Sequence, residues 1–290
     1  MALAHGPVGS FSLKNNIVLI TGGASGIGIA FAIACLEQSA RVVVGDLASS
    51  PGLDALTASH PSRLTFRKCD VTSWSDIASL ITSSKEIFGG VPDVYAPCAG
   101  IYEPSWSNFW DDTEDEAGFY KTIRINVEHP IKLTRLAIRA LKGANKQGVV
   151  ILVSSTAGIR PNYLACLYSA SKHALIGFTR SMAQADADEG IKVVCILPGL
   201  VDTDLWRKRE DDMMKWTGFG ERKALQAEDI AECMGRLARE DKFRGGCCVL
   251  KTATEERILF EEEAKAGYDP SPRPETDLDR VRRAMNREKG

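Results

Sequence analysis

The stretch from Ile17 to Asp46, IVLITGGASGIGIAFAIACLEQSARVVVGD, restricts the fold more than any other part of the chain. Ile17 to Ile20 is a β-branched apolar run, short enough for a buried strand. A glycine-rich turn follows, then the helix-length segment GIGIAFAIACLEQS, then a second apolar run, RVVVGD. A strand, a helix and a second strand in this order make a βαβ unit, and the two strands then lie parallel.

The pattern repeats along the chain. RLTFRKCDV, DVYAPCAG, GVVILVSS, IKVVCILPG and GCCVLK read as further strands. Helical patterns cover Ser75 to Phe88, Glu116 to Leu141, Leu167 to Glu189 and Ala227 to Arg239. Near-continuous apolar strands are those of a parallel sheet covered on both faces. The expected fold is α/β, a Rossmann-type doubly wound parallel sheet in a single domain. Its expected limits are an arm at 1–15, the domain at 16–260 and a charged, proline-punctuated tail at 261–290. Within the domain, residues 201–223 combine charge with Trp206, Met213, Met214, Trp216 and Phe219, a pattern that fits either a lid or an amphipathic helix packed on the surface.

The turn TGGASGIG places Gly22, Gly26 and Gly28 between a strand and a helix. Glycine there permits a tight turn and leaves no Cβ in the way of a phosphate. The helix N-terminus behind it offers free N–H groups and partial positive charge to a pyrophosphate. Asp46, at the end of the second strand, can accept both ribose hydroxyls of an adenosine and repels a 2′-phosphate. No basic residue stands in the turn or directly after Asp46. NAD is therefore the expected cofactor, with Asp70 and Val71 placed to meet the adenine.

Tyr168 and Lys172 are four apart on a helix and share a face. An ammonium beside a phenol favours the phenolate, which suits proton transfer near neutral pH. Ser155 ends the preceding strand, where its hydroxyl can hold a substrate oxygen. Ser154 competes for that role. Strand alternation turns the two hydroxyls to opposite faces, and the spacing to Tyr168 favours Ser155.

TGGASGIG, Ser154–Ser155, YSASK at Tyr168 to Lys172 and Pro198–Gly199 together resemble the short-chain dehydrogenase/reductase family, over Asn16 to Lys251. The resemblance implies Ser155 as substrate-orienting residue, Tyr168 as acid/base and Lys172 as the group that tunes it. It also implies that Asn126, in INVEH, belongs to a proton relay. The cofactor is implied on Thr21, Gly22, Ser25, Gly26, Ile27 and Gly28, on Asp46, Asp70 and Val71, and on Ala99 and Gly100. Tyr168, Lys172, Pro198, Gly199, Val201 and Thr203 complete that set.

Two departures stand out. Pro97–Cys98 replace the family's frequent pair of asparagines before Ala99–Gly100, and His129–Pro130 follow the Asn126 motif. His129 is read as structural. The C-terminal FRGGCCVLKTATEERILF is similar to the 15-hydroxyprostaglandin dehydrogenase-like branch, which implies NAD-dependent oxidation of a secondary alcohol.

The expected activity is interconversion of a secondary alcohol and a ketone. The aromatic and methionine content of 201–223 points to a fairly large apolar substrate: a terpenoid, polyketide, lipid or steroid. The alternatives are an NADPH-dependent ketone reductase and an idle cofactor-binding scaffold. The resemblance also implies a homodimer or homotetramer. The net charge of -2 argues against a nucleic-acid partner. The eight cysteines form no CxxC pair, so neither a metal site nor a disulfide framework is expected. Without a secretory pattern or a membrane-length apolar run, the expected location is the cytoplasm.

Overall fold

The computed structural model describes residues 6–103, 107, 109–112, 119–207 and 224–261. One eight-stranded sheet organises them. Its strands are β1 (Ile17–Thr21), β2 (Arg41–Asp46), β3 (Leu64–Lys68), β4 (Val94–Pro97), β5 (Gly148–Val153), β6 (Ile191–Pro198), β7 (Cys248–Lys251) and β8 (Glu256–Leu259). They lie in the order β3-β2-β1-β4-β5-β6-β7-β8. All pairs are parallel except β7 with β8, which is antiparallel.

Alternation along each strand feeds two cores. In β1, Val18 and Ile20 face one way with Phe31, Met234 and Leu237; Ile17 and Leu19 face the other with Leu80, Leu133 and Ile176. The first core lies under α1 (Gly26–Glu37) and the C-terminal helix Ala227–Arg239; the second lies under Trp74–Phe88, His129–Gly143 and Cys166–Ser181. Each large aliphatic side chain sealed there contributes about 1.5–3 kcal/mol. This is the expected doubly wound α/β fold. The chain reverses direction across the sheet between β1 and β4, and a crevice opens there beyond the carboxyl ends of the strands.

Besides the antiparallel edge strand β8, three elements depart from the sequence expectation. A helix at Pro51–Ser59, capped by Ser50, fills the space between β2 and β3. The expected helix at Glu116 to Leu141 is instead a short turn at Lys121–Ile123, a π-helical turn at Arg124–Glu128 and the helix His129–Gly143. Pro130 lacks an N–H and its ring would crowd the preceding turn, so a widened turn ahead of it relieves the helix. The expected single helix Leu167 to Glu189 divides into Cys166–Ser181 and Gln184–Glu189. Thr179 and Ser181 hydroxyls donate to the carbonyls of Leu175 and Gly177, back-bonding that loosens a helix end.

The described part of the N-terminal arm packs on this body. Val8 N–H donates to Asp186 (2.8 Å), and the buried Lys192 ammonium donates to the Gly9 carbonyl (2.9 Å). Of the expected tail, only Glu261 lies among the described residues.

His129 is buried at the centre, between Thr21 and Ile125. Its Nδ1–H faces the Ile125 carbonyl (3.2 Å), which can only accept, so Nε2 accepts the Thr21 hydroxyl (2.9 Å). Burial, with Lys172 adding to it, lowers its pKa from 6.5 to about 4. Between those values the unfolded chain binds a proton that the native ring refuses, so stability falls as pH drops through the window. The expected loss is about 3 kcal/mol, complete near pH 4. Urea unfolding at pH 7 and pH 4.5 should show the slope, and His129→Gln should flatten it. An equal slope in the variant would assign the loss to other groups.

Candidate active site

The glycine turn folds back on its neighbours. Gly22 has φ +67°, and a Cβ there would lie 2.5 Å from the Ala99 Cα; one on Gly28 would lie 2.1 Å from the Gly22 carbonyl oxygen. Neither position admits a side chain without moving backbone. Ser25 stands at the cap of α1 without a side-chain cap bond, and the first turn carries no acidic residue. The first N–H groups of the helix have no intrahelical acceptor. They front a cavity of about 260 Å³ that Gly22, Ser25, Gly26, Ile27 and Gly28 line together with Ala99, Gly100, Asp70 and Val71. These features fit an anionic dinucleotide.

Asp46 borders the same cavity. Its Oδ2 accepts the Ala24 N–H (3.0 Å) and its Oδ1 the Leu47 N–H (2.8 Å). A carboxylate offers about four acceptor positions, so the two backbone bonds fix it and leave capacity for ribose hydroxyls. Leu47 beside it is exposed and apolar.

A second cavity, of about 90 Å³, adjoins the first and shares Ile27, Cys98, Gly100, Ile101, Thr203 and Leu205 with it. Ser155, Tyr168 and Lys172 line it, with Pro198, Gly199 and Val201 from the end of β6. Both serines border it, but the Ser154 hydroxyl donates to the Lys172 carbonyl (2.7 Å). Ser155 accepts the Ala157 N–H (3.2 Å), which leaves its O–H proton for a substrate oxygen. The Lys172 ammonium donates to the Val153 carbonyl (2.9 Å) and sits 5.5 Å from the centre of the Tyr168 ring. Burial lowers its pKa from 10.5 to about 8.

Two residues in the expected set do not line either cavity. The Thr21 side chain is fully buried and engaged with His129. Asn126 braces the backbone: its Oδ1 accepts the Ile101 N–H (2.9 Å), and its Nδ2 donates to the Ile101 carbonyl (2.8 Å) and the Ser171 hydroxyl (3.2 Å).

The structure also brings in residues the sequence reading left out. Tyr102 packs its ring 4.7 Å from that of Tyr168 and 5.1 Å from that of Trp206. Glu103, nearly buried, accepts the Tyr168 N–H (3.0 Å). An acidic residue inside the apolar run AGIYEP was the available signal. Leu205 and Trp206 belong to the described part, 201–207, of the expected lid segment; residues 208–223, with Met213, Met214, Trp216 and Phe219, lie outside the described residues. All eight cysteines are free. Among the described residues no His/Cys/Asp/Glu group is arranged to hold a metal, and no helix is long and apolar enough to cross a membrane.

Residues 16–214 match the family described as short chain dehydrogenase. Galactitol 2-dehydrogenase of Agrobacterium fabrum is 32% identical over 249 residues, 85% of this chain and 94% of that protein. The 15-hydroxyprostaglandin dehydrogenase [NAD(+)] of Bos taurus is 29% identical over 283 residues, 90% of this chain and 97% of that protein. A short-chain dehydrogenase/reductase crystal structure from Brucella melitensis, titled glucose/ribitol dehydrogenase, superposes with a TM-score of 0.71 at 26% identity, covering 84% of this chain and 97% of that one.

Proposed function

This chain belongs to the short-chain dehydrogenase family, an oxidoreductase family, and from that premise we propose that it oxidises a secondary alcohol on a fairly large apolar body, using NAD. The observation that carries the reading is the junction of the two cavities: Ser155, Tyr168 and Lys172 line one, Asp46 and the glycine turn line the other, and the walls are shared. A bound nicotinamide dinucleotide supplies the hydride-accepting centre. Ser155 holds the substrate oxygen by its O–H. Tyr168 takes the hydroxyl proton as general base, and the Lys172 ammonium favours the phenolate it needs. In the reverse direction Tyr168 returns the proton to the ketone oxygen.

The choice of NAD rests on Asp46, fixed by two backbone N–H groups, with Ala24 and Leu47 where a basic residue would be needed for a 2′-phosphate. The apolar substrate rests on the cluster of Tyr102, Ala165 and Tyr168 with Ala157, Leu205 and Trp206 packed against it. That wall suits the kind of alcohol named for the 15-hydroxyprostaglandin relative better than the polyol named for the galactitol relative. A cytoplasmic homo-oligomer completes the reading, on the family resemblance and the free thiols.

The test is a fluorescence titration with NADH and NADPH, then a panel of secondary alcohols with the favoured cofactor. NADH should bind about a hundredfold more tightly, and Asp46→Ser should remove about tenfold of that preference. Equal binding by the wild type would overturn the NAD assignment. Polyols as the best substrates would overturn the apolar one.

A further inference from the structure

Tyr168 is the third residue of the helix Cys166–Ser181, where a backbone N–H has no partner within the helix. Such groups are usually met by the residue just ahead, but that residue is Ala165 and makes no side-chain cap. The first turn carries no acidic residue either. The Tyr168 N–H instead reaches Glu103, on the loop after β4, at 3.0 Å. A nearly buried carboxylate at the positive end of a sixteen-residue helix is well placed electrostatically.

The bond is one link of a closed circuit. The Tyr168 carbonyl accepts the Ser171 hydroxyl (2.7 Å), and Ser171 in turn accepts from Asn126 Nδ2 (3.2 Å). Asn126 grips both polar backbone groups of Ile101, two residues before Glu103. Tyr102, between them, lays its ring on that of Tyr168. Three consecutive residues, Ile101 to Glu103, thus hold the peptide, the ring and the helix end that carry the phenol.

We propose that Glu103 is a positioning residue: its carboxylate closes this circuit and fixes the Tyr168 phenol against the substrate oxygen. The proposal rests on the reading of Tyr168 as acid/base. Cutting the circuit at Glu103 frees the helix end and loosens the Tyr102–Tyr168 contact. It leaves Asp46 and the glycine turn, which Glu103 does not touch, unchanged.

The test compares full-length wild type, Glu103→Ala and Glu103→Gln by two readouts. The first is the NMR spectrum of ¹³C-tyrosine-labelled protein, with the Tyr168 ring signal assigned by its loss in Tyr168→Phe. The second is kcat for the best alcohol together with KM for NAD. In Glu103→Ala the ring signal should move and kcat should fall about tenfold to a hundredfold. KM for NAD should change less than about twofold. Glu103→Gln keeps an acceptor oxygen at the same reach and should return the signal and most of kcat. A ring signal unmoved in Glu103→Ala overturns the proposal, as does a moved signal with kcat intact. If Glu103→Ala does not fold, Glu103→Asp, with the carboxylate drawn back by one methylene, replaces it with the same expected signs. If the wild type oxidises no secondary alcohol, the functional reading falls, and the ring signal alone decides the role of Glu103.

Discussion

Tyr168→Phe is expected to lower turnover by about a thousandfold, within the range that a positioned general acid or base supplies. The substitution removes one oxygen and nothing else. The ring keeps its place against Tyr102 at 4.7 Å, and Lys172 keeps its bond to Val153. The fold should therefore survive, and NADH affinity should stay within about twofold, since the cavity proposed for the dinucleotide is lined by the glycine turn and Asp46 and not by Tyr168. Steady-state rates under saturating cofactor and a parallel NADH titration separate the two effects. A variant that turns over within about tenfold of the wild type would remove Tyr168 from the acid/base role and return weight to an idle scaffold.

The contrast between what was legible in the sequence and what was not follows from range. Strand β1 was legible because its alternate side chains feed two buried faces and all five residues are apolar or sealed. The glycine turn was legible because backbone approaches backbone at 2.1–2.5 Å where a Cβ would stand, and only glycine satisfies that. The spacing to Tyr168 favoured Ser155 over Ser154, whose hydroxyl donates to the Lys172 carbonyl while that of Ser155 accepts the Ala157 N–H. The helix Pro51–Ser59 was missed because it buries Leu53 alone and so carries little periodic signal. Strand β8 was missed because its residues, ERIL, sit at an antiparallel edge and include two charges. Glu103 and Tyr102 were missed for a different reason. Their partner Tyr168 is 65 positions from Glu103, and no local pattern records a contact between a loop and a helix end that only the sheet brings together. Asn126 was named in advance through a family resemblance, but its grip on Ile101 could be found only in three dimensions.

Lys172→Met should do two opposite things: stop the reaction and stabilise the protein. Lys172 is 7% exposed, and its ammonium donates to the Val153 carbonyl. Burial holds its pKa at about 8 against 10.5 for a free lysine. Below pH 8 the native state carries the full cost of that buried charge, about 3 kcal/mol. Between pH 8 and 10.5 the unfolded chain binds more protons than the native one, so the cost is relieved as pH rises. Methionine has similar length and no charge. It removes the cost but leaves the Val153 carbonyl one bond short, about 1 kcal/mol. The net gain of about 2 kcal/mol corresponds to a rise in Tm of roughly 5 °C for a chain of this size. Activity should fall about a hundredfold or more, because the phenol loses the cation that favours its ionised form. Melting curves at pH 7 and pH 9.5 are the check: the gap between variant and wild type should be wide at the lower pH and narrow at the higher. A variant that melts below the wild type at pH 7 would mean that Lys172 holds the strand end and helix together structurally. A gap that persists unchanged at pH 9.5 would mean that the stabilisation comes from packing and not from the charge.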